Sequence, residues 1–166
     1  AFLLSGLGSR AFWNTAILAP RFLVSAGASG PALLILIFAI SRKSGAFDVK
    51  DSVFGYLTRV LQIAMPINLF LLGCEVFKEF YPNTLHAASA QYLFFGLHGH
   101  FMLTKFIWTA IAMDVFAIVI LMVPALFRRK FFLYLGCVLT VGGIWIEKGM
   151  GLVFPGSTES LAIIVL

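Results

Sequence analysis

Long apolar stretches, separated by short polar ones, run through most of the chain. A helix that crosses the hydrocarbon core of a membrane needs about 20 mainly apolar residues. Four stretches approach or meet that requirement, and they cover residues 20–40, 53–77, 106–127 and 131–153. The pattern therefore predicts an all-α integral membrane protein, a bundle of about four transmembrane helices that forms a single domain over residues 1–166.

The composition supports a membrane location. Of the 166 residues, 61% are hydrophobic and 11% are charged, whereas a soluble domain has about 45–50% apolar and about 25% charged residues. A soluble chain of this length would leave much of that apolar surface in water. The net charge of +5 comes largely from Lys and Arg in short clusters between the apolar stretches. We therefore expect membrane lipid, and no nucleic acid, as a partner.

Two of the connections carry clusters of basic residues, at 41–51 and at 128–130. Four alternating spans place these two connections on the same side of the membrane. The positive-inside rule assigns that side to the cytoplasm. The long connection at residues 78–105 then lies on the outer side. Its apolar centre, residues 87–96, is too short to span, so we expect an interfacial or re-entrant segment there.

Small residues are concentrated at the start of the first span, in the run SAGASG at Ser25–Gly30. Small side chains let the backbones of neighbouring transmembrane helices approach closely. The run therefore predicts a helix-packing contact, and it needs no function to explain it.

Ionisable side chains within a membrane span are costly to bury, so each one is a functional candidate. The candidates are Arg21, Arg59, Glu75, Asp114 and Glu147, with Asn68 and Gln62 as polar companions. Asp114 lies about eight residues into the third predicted span, which is roughly 12 Å along a helix and close to the membrane midplane. A carboxyl group at that depth has to be protonated, paired or hydrated.

Four polar side chains predict a path through the outer half of the bundle. Asn68 and Glu75 are seven residues apart, so they lie on one helical face about two turns apart. Together with Asp114 and Glu147 they mark a polar track from the bilayer centre to the outer surface. The alternative for the charged residues near the helix ends is that they reach the interface or pair with one another, without a function.

The histidines and cysteines argue against a resident redox centre. His86, His98 and His100 all lie in the outer connection, and the four predicted spans contain no histidine, although haem-b subunits place their ligands within their spans. Cys74 and Cys137 lie in separate apolar stretches without ligand-like spacing. We expect no haem, no iron–sulfur cluster and no metal site in this chain.

Three stretches resemble one family of membrane subunits. They are WNTAILAPRFLVSAGASGP at residues 13–31, LHAASAQYLFFGLH at residues 85–98 and WIEKGMGLVFPG at residues 145–156. Their order and spacing are similar to those of the NrfD/PsrC family, the quinone-interacting membrane subunits of polysulfide reductases, and within it to members from sulfite-reduction-associated complexes. The resemblance implies a subunit of about eight to ten spans, of which this chain would be roughly half. The sequence departs from the family pattern after Gly156.

The resemblance also implies a function. It predicts a multi-pass subunit in the cytoplasmic membrane of a bacterium or archaeon that is not catalytic by itself. Such a subunit binds menaquinone or another quinone as a substrate near the outer membrane face. It exchanges electrons with a periplasmic ferredoxin-like iron–sulfur subunit and contacts other subunits of the complex. No quinone ligands are transferred from the family, because much of its quinone pocket belongs to the other half of the bundle.

The site residues are assigned from local chemistry. The candidates for the quinone pocket are Glu75, Tyr92 and His98, since an imidazole that titrates near neutral pH can exchange protons with a quinone headgroup. The candidates for a proton track are Asn68, Asp114 and Glu147. Two other functions stay open from the residues alone. One is a transporter or ion channel with a polar substrate path, and the other is a passive membrane anchor for a catalytic partner.

Overall fold

A computed structural model describes residues 16–45, 49–81, 87–96 and 102–149, which are almost entirely helical. In chain order the helices are α1 (Leu18–Ser44), α2 (Asp51–Phe80), α3 (Ala87–Phe94), α4 (Met102–Met122), α5 (Pro124–Phe127) and α6 (Lys130–Lys148). Helices α1, α2, α4 and α6 are long and apolar enough to cross a membrane. The predicted all-α membrane bundle with four transmembrane helices is confirmed.

Each long helix turns one stripe of residues into the bundle. On α2 the buried stripe consists of Phe54, Thr58, Leu61, Met65, Asn68, Leu72, Glu75 and Glu79. The intervals of three and four positions follow one face of a helix with 3.6 residues per turn. The other faces expose large apolar side chains, among them Ile63, Phe70 and Phe77. Lipid solvates such an apolar surface. Within the buried stripe, the two charged residues, Glu75 and Glu79, both lie in the second half of α2.

The long helices alternate in direction. At one end of the bundle Arg42 Nη1, near the end of α1, lies 2.5 Å from Asp51 Oδ1 at the start of α2. At the other end Arg21, near the start of α1, pairs with Glu75 near the end of α2 and with Glu147 at the end of α6. We call this second end the outer end, after the predicted orientation, which stays a prediction.

The closest helix contact is between α4 and α6, and glycines on α6 make it possible. A Cβ atom at Gly142 would lie 2.7 Å from Met113 Cε, and one at Gly136 would lie 3.2 Å from Ile120 Cγ2. A side chain at either glycine would therefore require Met113 or Ile120 to shift. The sequence had indicated a close approach on α1 instead.

The small-residue run on α1 packs differently from the prediction. Ser25 and Ala28 are buried in the bundle. Gly27 and Gly30, in contrast, would each accept a Cβ atom with nothing within 4 Å among the described parts of the chain. The expected packing contact is therefore made by the serine and the alanine, while the two glycines do not contribute to it.

The stretch predicted as the third span, residues 106–127, is divided in the structure. Helix α4 ends at Met122, and the short helix α5 begins at Pro124. A proline lacks an N–H group and clashes with the preceding turn, but it fits the first position of a new helix. The last carbonyl groups of α4 need other donors, and Gln62 Nε2 of α2 donates to the Leu121 carbonyl oxygen at 2.7 Å. Gln62 therefore caps the end of α4.

We expect Gln62→Leu to lower the free energy of unfolding by about 0.5–1.5 kcal/mol, because the Leu121 carbonyl group loses its donor in an apolar setting. Thermal denaturation of the purified protein measures the change. Gln91→Leu is the control, since Gln91 is exposed on α3. Equal melting temperatures for the two variants would contradict the capping role.

Candidate functional site

Charged side chains from three helices meet in the outer half of the bundle. Arg21 of α1 forms ion pairs with Glu75 of α2 and with Glu147 of α6, where Nη2 lies 2.5 Å from Oε1. Lys148 Nζ lies 2.9 Å from the same oxygen of Glu147. It also lies 5.3 Å from the centroid of the Phe22 ring, close enough for a cation–π contact. The side chains of Arg21, Glu75 and Glu147 are 5%, 6% and 0% exposed, so protein atoms surround these charges.

Two polar side chains from the middle of their helices join these charges. Asn68 Nδ2 donates to Glu147 Oε2 at 3.4 Å. Asp114 is fully buried, and its carboxyl group lies against Gly143 of α6, one helical turn before Glu147. Neither oxygen of Asp114 has a hydrogen-bond donor among the residues that the structure describes. We call the whole set, Arg21, Asn68, Glu75, Asp114, Glu147 and Lys148, the buried ionic cluster.

The space for the Asp114 carboxyl group exists because residue 143 is a glycine. A Cβ atom at Gly143 would overlap with the Asp114 carboxyl group and would lie 3.3 Å from the carbonyl oxygen of Ala110. At this contact α6 therefore presents the backbone of Gly143, and α4 presents the carboxyl group of Asp114. Gly143 lies one helical turn before Glu147 on the same face of α6, so it positions the two carboxyl groups next to each other.

An apolar groove opens beside the cluster at the outer end of the bundle. It has a volume of about 810 Å³ and lies between α2, α3 and the first half of α4. Its aromatic lining residues are Phe77, Phe80, Tyr81, Phe94, Phe95 and Trp108. The Phe80 ring packs edge-on against two of the others, with centroids 6.0 and 5.8 Å away. Trp108 Nε1 donates to the Phe94 carbonyl oxygen at 3.0 Å, which attaches α3 to α4. We call this cavity the aromatic groove.

The aromatic groove and the buried ionic cluster share a wall. A narrower cavity is lined by the cluster residues Arg21 and Glu75 together with Glu79. Leu72, Val76 and Phe94 line both this cavity and the groove. Among the described residues, these three apolar side chains lie between the groove and the buried carboxyl groups.

Glu79 adds a further carboxyl group at this boundary. Its side chain is 6% exposed, and its Oε1 lies 2.7 Å from Lys78 Nζ. Glu79 is the last member of the buried stripe of α2, one turn beyond Glu75. The outer end of α2 thus presents two successive buried carboxyl groups towards the narrower cavity, each paired with a cation.

The structure brings together most of the candidates that the sequence indicated. The predicted residues that meet in the cluster are Arg21, Asn68, Glu75, Asp114 and Glu147. Arg59 does not join them, because it is exposed on the first half of α2. Tyr92 belongs to α3, but its side chain lies outside the described part of the chain, as does the whole of His98.

Glu79, Lys148, Gly143 and the aromatic wall were not among the residues that the sequence indicated. Glu79 had a detectable signal, since it continues the spacing of three and four residues that contains Asn68 and Glu75. The aromatic residues had none, because they come from three separate segments of the chain and meet only in the folded bundle.

A protein-family model described as "Polysulphide reductase, NrfD" matches residues 1–158 of the chain. The matched range contains all residues of the buried ionic cluster and of the aromatic groove. No curated protein and no solved structure shows a significant match to the chain.

Proposed function

Because the chain belongs to the NrfD family of polysulphide reductase membrane proteins, we propose that it binds a quinone in the aromatic groove and exchanges electrons between this quinone and an iron–sulfur partner subunit. Members of the family are multi-pass membrane subunits of respiratory oxidoreductases, associated with lipid and with other subunits of their complexes. The finer assignments belong to the proposal. They are menaquinone or a related quinone as the substrate, a ferredoxin-like partner, a role in sulfur metabolism, and a likeness to DsrP, the membrane subunit of the DsrMKJOP complex.

The proposal rests on one observation, the shared wall between the aromatic groove and buried carboxyl groups. The groove volume of about 810 Å³ falls within the range of about 300–1,000 Å³ that is typical of small-molecule sites. Aromatic side chains offer a flat headgroup offset-stacked or edge-on contacts. Leu72 and Val76 separate the groove from Glu75 and Glu79. An apolar planar ligand that gains or loses protons needs both features together.

A bound quinone supplies two-electron, two-proton chemistry, and the residues of this chain would hold it and manage its protons. The rings of Phe80, Phe94 and Trp108 hold the headgroup and exclude water. The Glu75 carboxylate is the nearest proton acceptor in the cluster. From Glu75 the polar contacts continue through Arg21 and Glu147 towards Asp114, which gives protons a place to move away from the groove.

Filling the groove tests the proposal. Gly73 lines the groove, and a Cβ atom added to it would have nothing within 4 Å among the described residues, so Gly73→Phe has room for its Cβ atom and adds a ring to the ligand space. We expect the Kd of a quinone analogue for the purified full-length complex to rise at least about tenfold, a loss of about 1.4 kcal/mol. The quenching of tryptophan fluorescence measures the binding, because Trp108 lies in the groove.

Gly55→Phe is the matched control. Gly55 is also a glycine of α2 with nothing within 4 Å of a Cβ position in the described structure, but it lies at the opposite end of the helix. Its Kd should equal that of the parent protein. Equal affinities for the Gly73 and Gly55 variants would place the quinone elsewhere. If the parent complex bound no quinone analogue at all, a transporter or a passive anchor would become the better assignment.

A further inference from the structure

The buried ionic cluster contains more carboxyl groups than cations. Arg21 and Lys148 carry positive charge, while Glu75, Asp114 and Glu147 are carboxyl groups. An ionised carboxylate that is shielded from water and lacks a cation is very costly, whereas a protonated one is not. Among the residues that the structure describes, two cations balance two carboxylates, which leaves a proton for the third carboxyl group.

Each helix that packs around the cluster contributes described charged or apolar side chains to it. Helix α1 contributes Arg21, α4 contributes Asp114, and α6 contributes Glu147 and Lys148. Helix α2 contributes Glu75, and the adjacent pair of Lys78 and Glu79 is balanced in itself, with 2.7 Å between Nζ and Oε1. Among its described side chains, α3 presents only apolar residues to this region, including Ala90 and Leu93.

The contacts indicate which carboxyl group holds the proton in this structure. Glu147 accepts hydrogen bonds from Arg21, Lys148 and Asn68, and donors of this kind stabilise the ionised form of a carboxyl group. Asp114 faces Glu147 without a donor to either of its own oxygens in the described structure. Glu75 is paired with Arg21, so Asp114 is the carboxyl group of the cluster that has no ion-pair partner among the described residues. The proton therefore belongs on Asp114.

We propose that the cluster holds one exchangeable proton, and that Arg21 determines whether the proton lies on Asp114 in the interior or on Glu75 beside the aromatic groove. In the first state Arg21 bridges Glu75 and Glu147, as the structure shows. In the second state an O–H bond has broken at Asp114 and another has formed at Glu75. Glu75 then needs no cation, and the two cations balance the carboxylates of Glu147 and Asp114.

This inference deepens the proposed function, because it names Arg21 as the positioning residue that directs protons to and from the groove. Total charge is the same in both states, so the proton moves without leaving a buried charge unbalanced. The proton count depends only on the cluster, and it can be tested without a quinone.

Infrared difference spectroscopy of the full-length complex tests the proton count. Protonated carboxyl groups have a carbonyl-stretch band that carboxylates lack. We expect Asp114→Asn to abolish the band of the cluster, because two cations then face two carboxylates. Glu75→Gln is expected to abolish the same band for the same reason, although it leaves Asp114 in place. Arg21→Gln is expected to increase the band about twofold, since a single cation then faces three carboxyl groups.

Two variants serve as controls. Glu79→Gln removes a carboxyl group that has its own cation, so the band should keep its parental intensity. Arg21→Lys keeps the positive charge and should keep the band as well. These controls also identify any general effect of substitution near the groove.

A band that disappears in Asp114→Asn but persists unchanged in Glu75→Gln would overturn the inference, because the proton would then belong to Asp114 alone. A band that persists in both variants would overturn it too. If Arg21→Gln does not assemble, the Asp114 and Glu75 variants still decide the question. Gly73→Phe should retain the band while losing quinone affinity, so failure of the proton count and failure of the proposed quinone site give different results.

Discussion

Replacing Arg21 with methionine should cost about 3–5 kcal/mol of stability, which is enough to prevent most of the protein from reaching its folded state. The guanidinium group of Arg21 is shared by Glu75 and Glu147, which come from two other helices. Methionine keeps much of the length of the side chain but leaves both carboxyl groups without this cation. The amount of folded protein in the membrane and its melting temperature in detergent measure the loss.

Arg59→Met is the matched control for this experiment. Arg59 is exposed on α2, and surface substitutions are usually within about 0.5 kcal/mol of neutral. The double variant Arg21→Met with Glu75→Gln provides a second test. Lys148 can then balance Glu147, so the double variant should be more stable than Arg21→Met alone. If the double variant were as unstable as the single one, packing rather than charge would explain the role of Arg21.

The membrane fold is predictable because it depends on local properties. A stretch of about 20 apolar residues specifies a transmembrane helix regardless of what surrounds it. The end of α4 was harder to predict, because hydropathy averaged over residues 106–127 hides the single residue, Pro124, that ends the helix. The sequence indicated that Arg21, Glu75 and Glu147 lie near the ends of their spans, but it could not indicate their partners, since Arg21 and Glu147 are 126 positions apart.

The predicted polar track was partly accessible from the sequence, because part of it depends on local helical geometry. Asn68 and Glu75 share a face of one helix, and helical periodicity alone establishes that. The position of Asp114 relative to Glu147, in contrast, depends on how closely α4 and α6 approach. That distance is determined by Gly143, whose importance is visible only once the facing helix is known. Residues that act by lacking a side chain give no chemical signal in a sequence.

The aromatic groove, too, could not be predicted from single residues in the sequence. Phenylalanine is abundant throughout the chain, with 18 residues, so no single aromatic residue indicates a binding site. Phe80, Phe94 and Trp108 line one groove because α3 folds against α2 and α4. Tyr92 on α3 was the aromatic residue predicted for the pocket, and its side chain lies outside the described part of the chain, whereas Phe94 and Phe95 line the groove.

A side chain at position 143 should be the most disruptive change that leaves every charged residue in place. Gly143→Val is expected to destabilise the protein by about 3 kcal/mol, because overpacking a tight contact typically costs about 1–3 kcal/mol and valine is stiff at its branched carbon. The Cβ atom would overlap with the Asp114 carboxyl group, and the Ala110 carbonyl oxygen, 3.3 Å away, is backbone that cannot move aside easily. The melting temperature in detergent measures the loss, with Gly55→Val as the control.

A side chain at position 143 should also change the environment of the protonated carboxyl group in the cluster. A Cβ atom at position 143 displaces the Asp114 carboxyl group, and the proposed proton of the cluster lies on that group. The carbonyl-stretch band of the cluster should therefore shift in the milder variant Gly143→Ala, which adds only the Cβ atom. Combining Gly143→Ala with Asp114→Ala removes the overlapping carboxyl group, so the double variant should regain stability relative to Gly143→Ala. If the two substitutions were simply additive in stability, Gly143 would not be the residue that makes room for Asp114.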